Sequence, residues 1–227
     1  HHRFKRGYKN VINECIRLNE EGTVSPLAIE TSGHHLTVEG TASASSERGK
    51  AGEWLIDPGD IEVKTRSAGD PLQGSSMADV QKVTDTLNNG TSVNIQTDNL
   101  TGPNDNSITI TDAIRKTSGG DVALRLKATG AININADITS ETLASAATPT
   151  GKLSLEVTSD TNKTAGGSVS VASGTSIKTL GGSVKIGGGL MDSGVGFANS
   201  QSAGEAGITL NSVTIDTPAS SDHWRNS

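Results

Sequence analysis

From residue 28 onward the chain repeats one local pattern: a few residues in which Val, Ile or Leu alternates with a polar residue, then a break at Gly, Asn, Asp or Ser. The runs are His35-Leu-Thr-Val38, Ile61-Glu-Val63, Ser92-Val-Asn-Ile95, Ser107-Ile-Thr-Ile110, Val122-Ala-Leu-Arg-Leu126, Ile132-Asn-Ile134, Leu153-Ser-Leu-Glu-Val157, Val169-Ser-Val171, Val184-Lys-Ile186, Ile208-Thr-Leu210 and Val213-Thr-Ile215. Neighbouring side chains on a strand point to opposite faces, so each run predicts a short strand with one face buried and one wet.

Strands this short need partners, and composition limits what those partners can be. Of the 227 residues only 32% are hydrophobic and 2% aromatic, too few for an ordinary globular core of this length. Disorder would explain that scarcity, but a disordered chain has no reason to keep ordered alternation. A solenoid explains both, because each coil buries only a few small branched side chains and stacking supplies the rest. The expected fold is all-β: a right-handed parallel β-helix with one or two short helices, whose narrow core carries ladders of Val, Ile, Leu, Thr and Asn. Coils of roughly 18–25 residues are expected from typical strand lengths and repeat periods. The visible repeat is shorter: Gly166-Gly-Ser-Val-Ser-Val171 recurs 15 positions on as Gly181-Gly-Ser-Val-Lys-Ile186. Offsets of that size mark either short coils or successive strands of larger ones.

Two intervals lack the pattern. Residues 1–27 hold Phe4, Tyr8 and Cys15 with five basic residues, and stand apart from the β-helical segment at 28–227. Val11, Ile12, Cys15, Ile16 and Leu18 share one helical face, with Gly22 placed as a cap. The segment reads either as an amphipathic helix capping the solenoid or as foreign sequence, His1-His2 resembling the end of an affinity tag. The second interval, 72–89, contains Ser76-Met-Ala-Asp-Val-Gln-Lys-Val-Thr-Asp-Thr-Leu87. It predicts a short helix capped by Ser75 or Ser76, with Val80, Val83 and Leu87 along one face.

Charge and cysteine content remove several functions. The net charge of −6 provides no basic stripe for nucleic acid and no attraction to an anionic membrane. No apolar run is long enough to span a bilayer, so membrane insertion is not expected. The single cysteine, Cys15, rules out a disulfide framework within the chain and a Cys-based zinc site. Scarcity of cysteine suits export through a narrow pore.

Two passages are more specific than texture: Glu30-Thr-Ser-Gly-His-His-Leu-Thr-Val38, and Gly49-Lys-Ala-Gly-Glu-Trp-Leu-Ile-Asp-Pro-Gly-Asp-Ile-Glu-Val63. Together they resemble a passage of the filamentous-haemagglutinin-like and high-molecular-weight adhesins, the secreted partners of two-partner secretion systems. The resemblance covers residues 30–138. The family passage opens with a Gly-Gly pair, where this chain has Pro26-Leu-Ala-Ile29. The family's secretion-domain signatures are not found, which points to a shaft or distal portion. The resemblance implies an extracellular stalk at the bacterial surface that mediates attachment or aggregation. Its implied partners are host-cell or bacterial surface glycans or proteins, and an outer-membrane secretion partner for the full-length protein. A delivery stalk for a contact-dependent toxin shares the same repeat.

Within the motif, Trp54 reads as a large buried group among small ones, and Asp57-Pro58-Gly59-Asp60 as a turn. Asn89, Asn99 and Asn162 open N-x-Thr sequons, so they are candidate glycosylation sites. No catalytic residue, cofactor or metal site is read from the sequence. His34 and His35 are adjacent, which on a strand sends them to opposite faces. The acidic residues are scattered rather than clustered, which argues against a polysaccharide-active β-helix enzyme; a groove gathering acidic and basic side chains would support one. The loops at 64–76 and 142–150 are the expected carriers of receptor contact.

Overall fold

The computed structural model describes residues 13–15, 28–45, 50–71, 74–97, 106–162, 167–188 and 207–217. The chain runs through β1 (Asn13–Cys15), β2 (Ala28–Ser32), β3 (Thr37–Val38), β4 (Glu53–Asp57), β5 (Ile61–Lys64) and β6 (Ser76–Asp79) into helix α1 (Val80–Asn88). There follow β7 (Ser92–Gln96), β8 (Ile108–Ile110), β9 (Ile114–Lys116), β10 (Val122–Lys127), β11 (Ile132–Ile134) and β12 (Ile138–Ser140). The last strands are β13 (Leu153–Ser159), β14 (Val169–Val171), β15 (Ser176–Lys178), β16 (Val184–Gly188), β17 (Ile208–Leu210) and β18 (Thr214–Asp216).

These strands form three sheets. The first is ordered β1-β2-β4-β7-β10-β13-β16, the second β3-β6-β5-β8-β11-β14-β17, and the third β9-β12-β15-β18. From β7 onward the chain visits first, second and third sheet in strict rotation, each strand pairing in parallel with its counterpart one coil away. This is the parallel β-helix arrangement expected from the alternation.

Stacking aligns like with like. Val93, Leu124 and Leu155 are register partners on the first sheet. Ile61, Ile108, Ile132 and Val169 form a column on the second, and Ile114, Ile138 and Ile177 one on the third. All of these are buried and belong to a single apolar cluster. Burying each aliphatic side chain stabilises by about 1.5–3 kcal/mol, so many small groups in columns replace the few large ones that the composition lacks. The anticipated polar ladder is short. Thr129 N–H donates to the Thr97 hydroxyl at 3.1 Å, and the Thr129 hydroxyl accepts from Asn106 N–H at 3.0 Å.

Some coils match the expected length and others are longer. Ile108 lies beside Ile132 and Ile132 beside Val169, so successive coils there take 24 and 37 residues. On the first sheet Val93, Leu124 and Leu155 are 31 apart. The 15-residue offset links β14 on the second sheet to β16 on the first, and so is not a coil.

Two expected helices are corrected. Residues 13–15 pair antiparallel with β2, so the backbone there is strand rather than helix. The second helix exists but starts later, because residues 76–79 find ladder partners in both β3 and β5. The Asp79 carboxylate, not Ser75 or Ser76, caps it by accepting from Gln81 N–H at 3.0 Å. Val80, Val83 and Leu87 are buried as expected. α1 follows a second-sheet strand, precedes a first-sheet strand and packs on β9, so it stands where a third-sheet strand would.

The scattered aspartates have a shared structural role. Asp60 accepts from Ser107 N–H at 2.6 Å, Asp121 from Lys152 N–H at 2.8 Å and Asp137 from Ser176 N–H at 2.9 Å. Each carboxylate sits near a corner and satisfies a backbone donor of the next coil, a strong charge-assisted contact. Glycine is required where coils approach closely: a Cβ on Gly151 would lie 2.2 Å from the Gly120 carbonyl carbon, and one on Gly182 2.2 Å from the Leu153 oxygen.

Candidate binding groove

The alternation that buries Leu124 and Leu155 turns Ala123, Arg125, Ser154 and Glu156 outward from the first sheet. Parallel register places Asn94, Arg125, Glu156 and Lys185 side by side on four successive strands. Arg125 is the hub of this row. Its guanidinium binds the Glu53 carboxylate, and its Nε lies 3.5 Å from Glu156 Oε2. Glu53 also accepts from the Asn94 amide at 3.1 Å. Asn94 is buried beside this network, and its Oδ1 has no hydrogen-bond partner among the described residues.

Beside this charged row lie the small side chains of Ser92, Ala123 and Ser154, which line the same depression. Asn89, Gly90, Gly120 and Asp121 from the corners leading into the first sheet, with Ser45 and Lys50 from an earlier coil, complete the lining. The result is a groove of about 850 Å³ that crosses the strands along the solenoid axis. Adjacent strands lie about 4.8 Å apart, so the row presents a different polar or charged group at each step: Asn94, Arg125, Glu156 and Lys185. Lys50 and Lys185 are exposed and form no ion pair among the described residues.

Within the motif passages, Lys50 and Ala51 line the groove and Glu53 joins the Arg125 network; the rest of the motif lies elsewhere and joins one coil to the next. β2 and β4 pair with Ile29 beside Trp54 and Ser32 beside Asp57, so the two passages stack directly on one another. Trp54 is buried and its indole N–H donates to the Thr31 hydroxyl at 3.1 Å. Asp57 is also buried, and its carbonyl accepts from Gly33 N–H at 3.0 Å. Pro58 is buried at the corner between first and second sheet, where Gly59 N–H donates to the His34 carbonyl at 3.2 Å. His34 and His35 sit in a bend before β3, not on a strand, with ring centroids 4.3 Å apart. No group of three potential metal ligands occurs among the described residues.

Of the sequons, Asn89 is exposed at the C-terminal cap of α1 and lines the groove. Its partner Thr91 is fully buried, with the hydroxyl accepting from Ala44 N–H at 2.8 Å. Asn99 lies outside the described residues, as do the two residues that complete the Asn162 sequon. The expected receptor loops line no part of the groove. The 64–76 loop is tied down by Lys64 with Asp70 at 2.9 Å and Arg66 with Glu39 at 2.8 Å. The loop at 142–150 exposes Leu143.

Sequence reasoning missed the groove because it missed the coil length. A 31-residue comparison would have aligned Gly120, Gly151 and Gly182, and with them Ser92, Ala123 and Ser154. No family model matches this chain, and no curated protein matches it. No helix among the described residues is long and apolar enough to cross a membrane.

Proposed function

We propose that this chain is a stalk segment of a large bacterial surface adhesin, held outside the cell, and that the groove on its first sheet contributes to attachment or aggregation. The carrying observation is the groove itself: hydroxyls, an amide and exposed ammonium groups arrayed across successive parallel strands. Such an array suits weak contact with extended polar chains on a cell surface, either glycans or protein segments. Repetition along a long stalk raises the total through avidity. Export by an outer-membrane secretion partner follows from the resemblance of the Glu30-to-Val38 and Gly49-to-Val63 passages, as does the adhesin class.

A polysaccharide-active enzyme is a second reading, favoured by the gathering of Glu53, Arg125, Glu156 and Lys185 in one groove. Against it, both carboxylates are already engaged by the Arg125 guanidinium within the row. The test is attachment of the immobilised chain to cells and to a panel of surface polysaccharides, beside the double variant K50E/K185E. Retention that the variant loses at least several-fold supports the adhesive reading. Release of reducing ends supports the enzyme, and retention of nothing in the panel refutes both.

A further inference from the structure

Lys116 is the largest fully buried side chain of the described residues, and it is buried on β9 like Ile114 two residues before it. Its ammonium donates to three backbone carbonyls: Ser118 at 2.6 Å, Gly119 at 3.1 Å and Gly151 at 3.2 Å. The first two belong to its own corner and the third to the corner of the next coil. No carboxylate forms an ion pair with it among the described residues. Gly119 O also accepts from Gly151 N–H, and Gly151 O from the Ser140 hydroxyl, so the ammonium takes the second lone pair of each.

Oxygen dipoles converging on one point favour a positive charge there. An ammonium supplies three donors from a single atom, whereas the flat guanidinium of arginine cannot aim at all three. The corner is also fixed from its other side, because the Asn88 side chain accepts from Thr117 N–H at 2.9 Å and Ser118 N–H at 3.1 Å. Residues 120 and 121 of this corner line the groove. We propose that the carbonyls of Ser118, Gly119 and Gly151 form a monovalent-cation site between two coils, which the chain fills with its own Lys116 ammonium. The corner thereby has a cation permanently in place and draws none from the medium. Burial pushes the group's pKa down to about 8, opposed by the charge of Asp121, so the occupant is charged at neutral pH.

The test is chemical rescue of K116A, refolded in choline chloride, potassium chloride or propylammonium chloride at equal ionic strength. In choline the variant is expected to melt roughly 5 °C or more below wild type. Potassium or propylammonium should restore part of that loss in a saturable way while leaving wild type unmoved. K116M fills the space but offers no cation, and should be lowered in every salt. A K116A that responds equally to all three salts, or that folds in none of them, overturns the proposal. Independently of any variant, nitrogen NMR of the wild-type chain should show one lysine ammonium with slowly exchanging protons. Its absence near neutral pH overturns the proposal as well.

Discussion

The indole N–H of Trp54 donates to the hydroxyl of Thr31 one strand away, at 3.1 Å and out of reach of water. That bond ties the two most distinctive passages of the sequence to each other. Its neighbours do the same with backbone groups, Gly33 to Asp57 and Gly59 to His34. Trp54 and its neighbours in the motif therefore form a cross-coil joint. Replacing Thr31 by Val keeps the shape but strands a buried donor, a loss of about 1–3 kcal/mol. Trp54→Ala also removes a large buried ring, for about 3–5 kcal/mol. Urea unfolding checks both; equal midpoints for Thr31→Val and wild type would show that the bond contributes nothing.

Glycine at the corners separates close approach from convention. Gly151→Ala and Gly182→Ala drive a methyl into the backbone of the adjoining coil, and each should cost at least about 1–3 kcal/mol. Gly120, a step away at the same corner, has nothing within 4 Å of an added Cβ and tolerates alanine. Thermal melts of the three variants compare them directly. A Gly120→Ala as damaging as the other two would argue against this stacking.

Lys116 gives the stability a pH signature. Its pKa falls from 10.5 in the open chain to about 8 in the fold. Between these values the unfolded chain binds more protons, so stability rises as pH climbs from about 8 to 10.5, with no gain from this group below 8. Subtracting the stability curve of Lys116→Met from that of wild type isolates the increment from other titrating groups. A flat difference across that window would mean that burial does not depress this ammonium.

The Asn89 sequon is open at its asparagine and shut at its threonine. An enzyme that must reach both residues is expected to modify the unfolded or nascent chain and to leave the folded one untouched at this position. Mass spectrometry after treatment of folded and urea-unfolded chain with an N-glycosyltransferase reads this out. Equal modification of both forms would contradict the burial of Thr91.

The sequence shows the first and second sheets far better than the third. β10 and β13 announce themselves because several aliphatic residues alternate along each. β9, β12 and β15 each bury a single isoleucine, at 114, 138 and 177, beside Arg, Lys, Thr or Ser. One apolar residue has no period, so these three strands are silent and one side of their coils goes uncounted. The groove was hidden for the same reason, since its residues meet only when the coil length is known. Lys116 is invisible for a different reason. A lysine in a polar run reads as solvent-facing, and only the converging carbonyls of two coils make an interior position tolerable.

The most direct test of the adhesive account compares the chain as a soluble monomer with the same chain displayed densely on beads, measuring retention on a cell surface. The account predicts weak monomer binding, retention on beads greater by about 10²-fold or more, and loss of that retention in K50E/K185E. Beads that are not retained on any surface, or a monomer that binds as tightly as the beads, would contradict it.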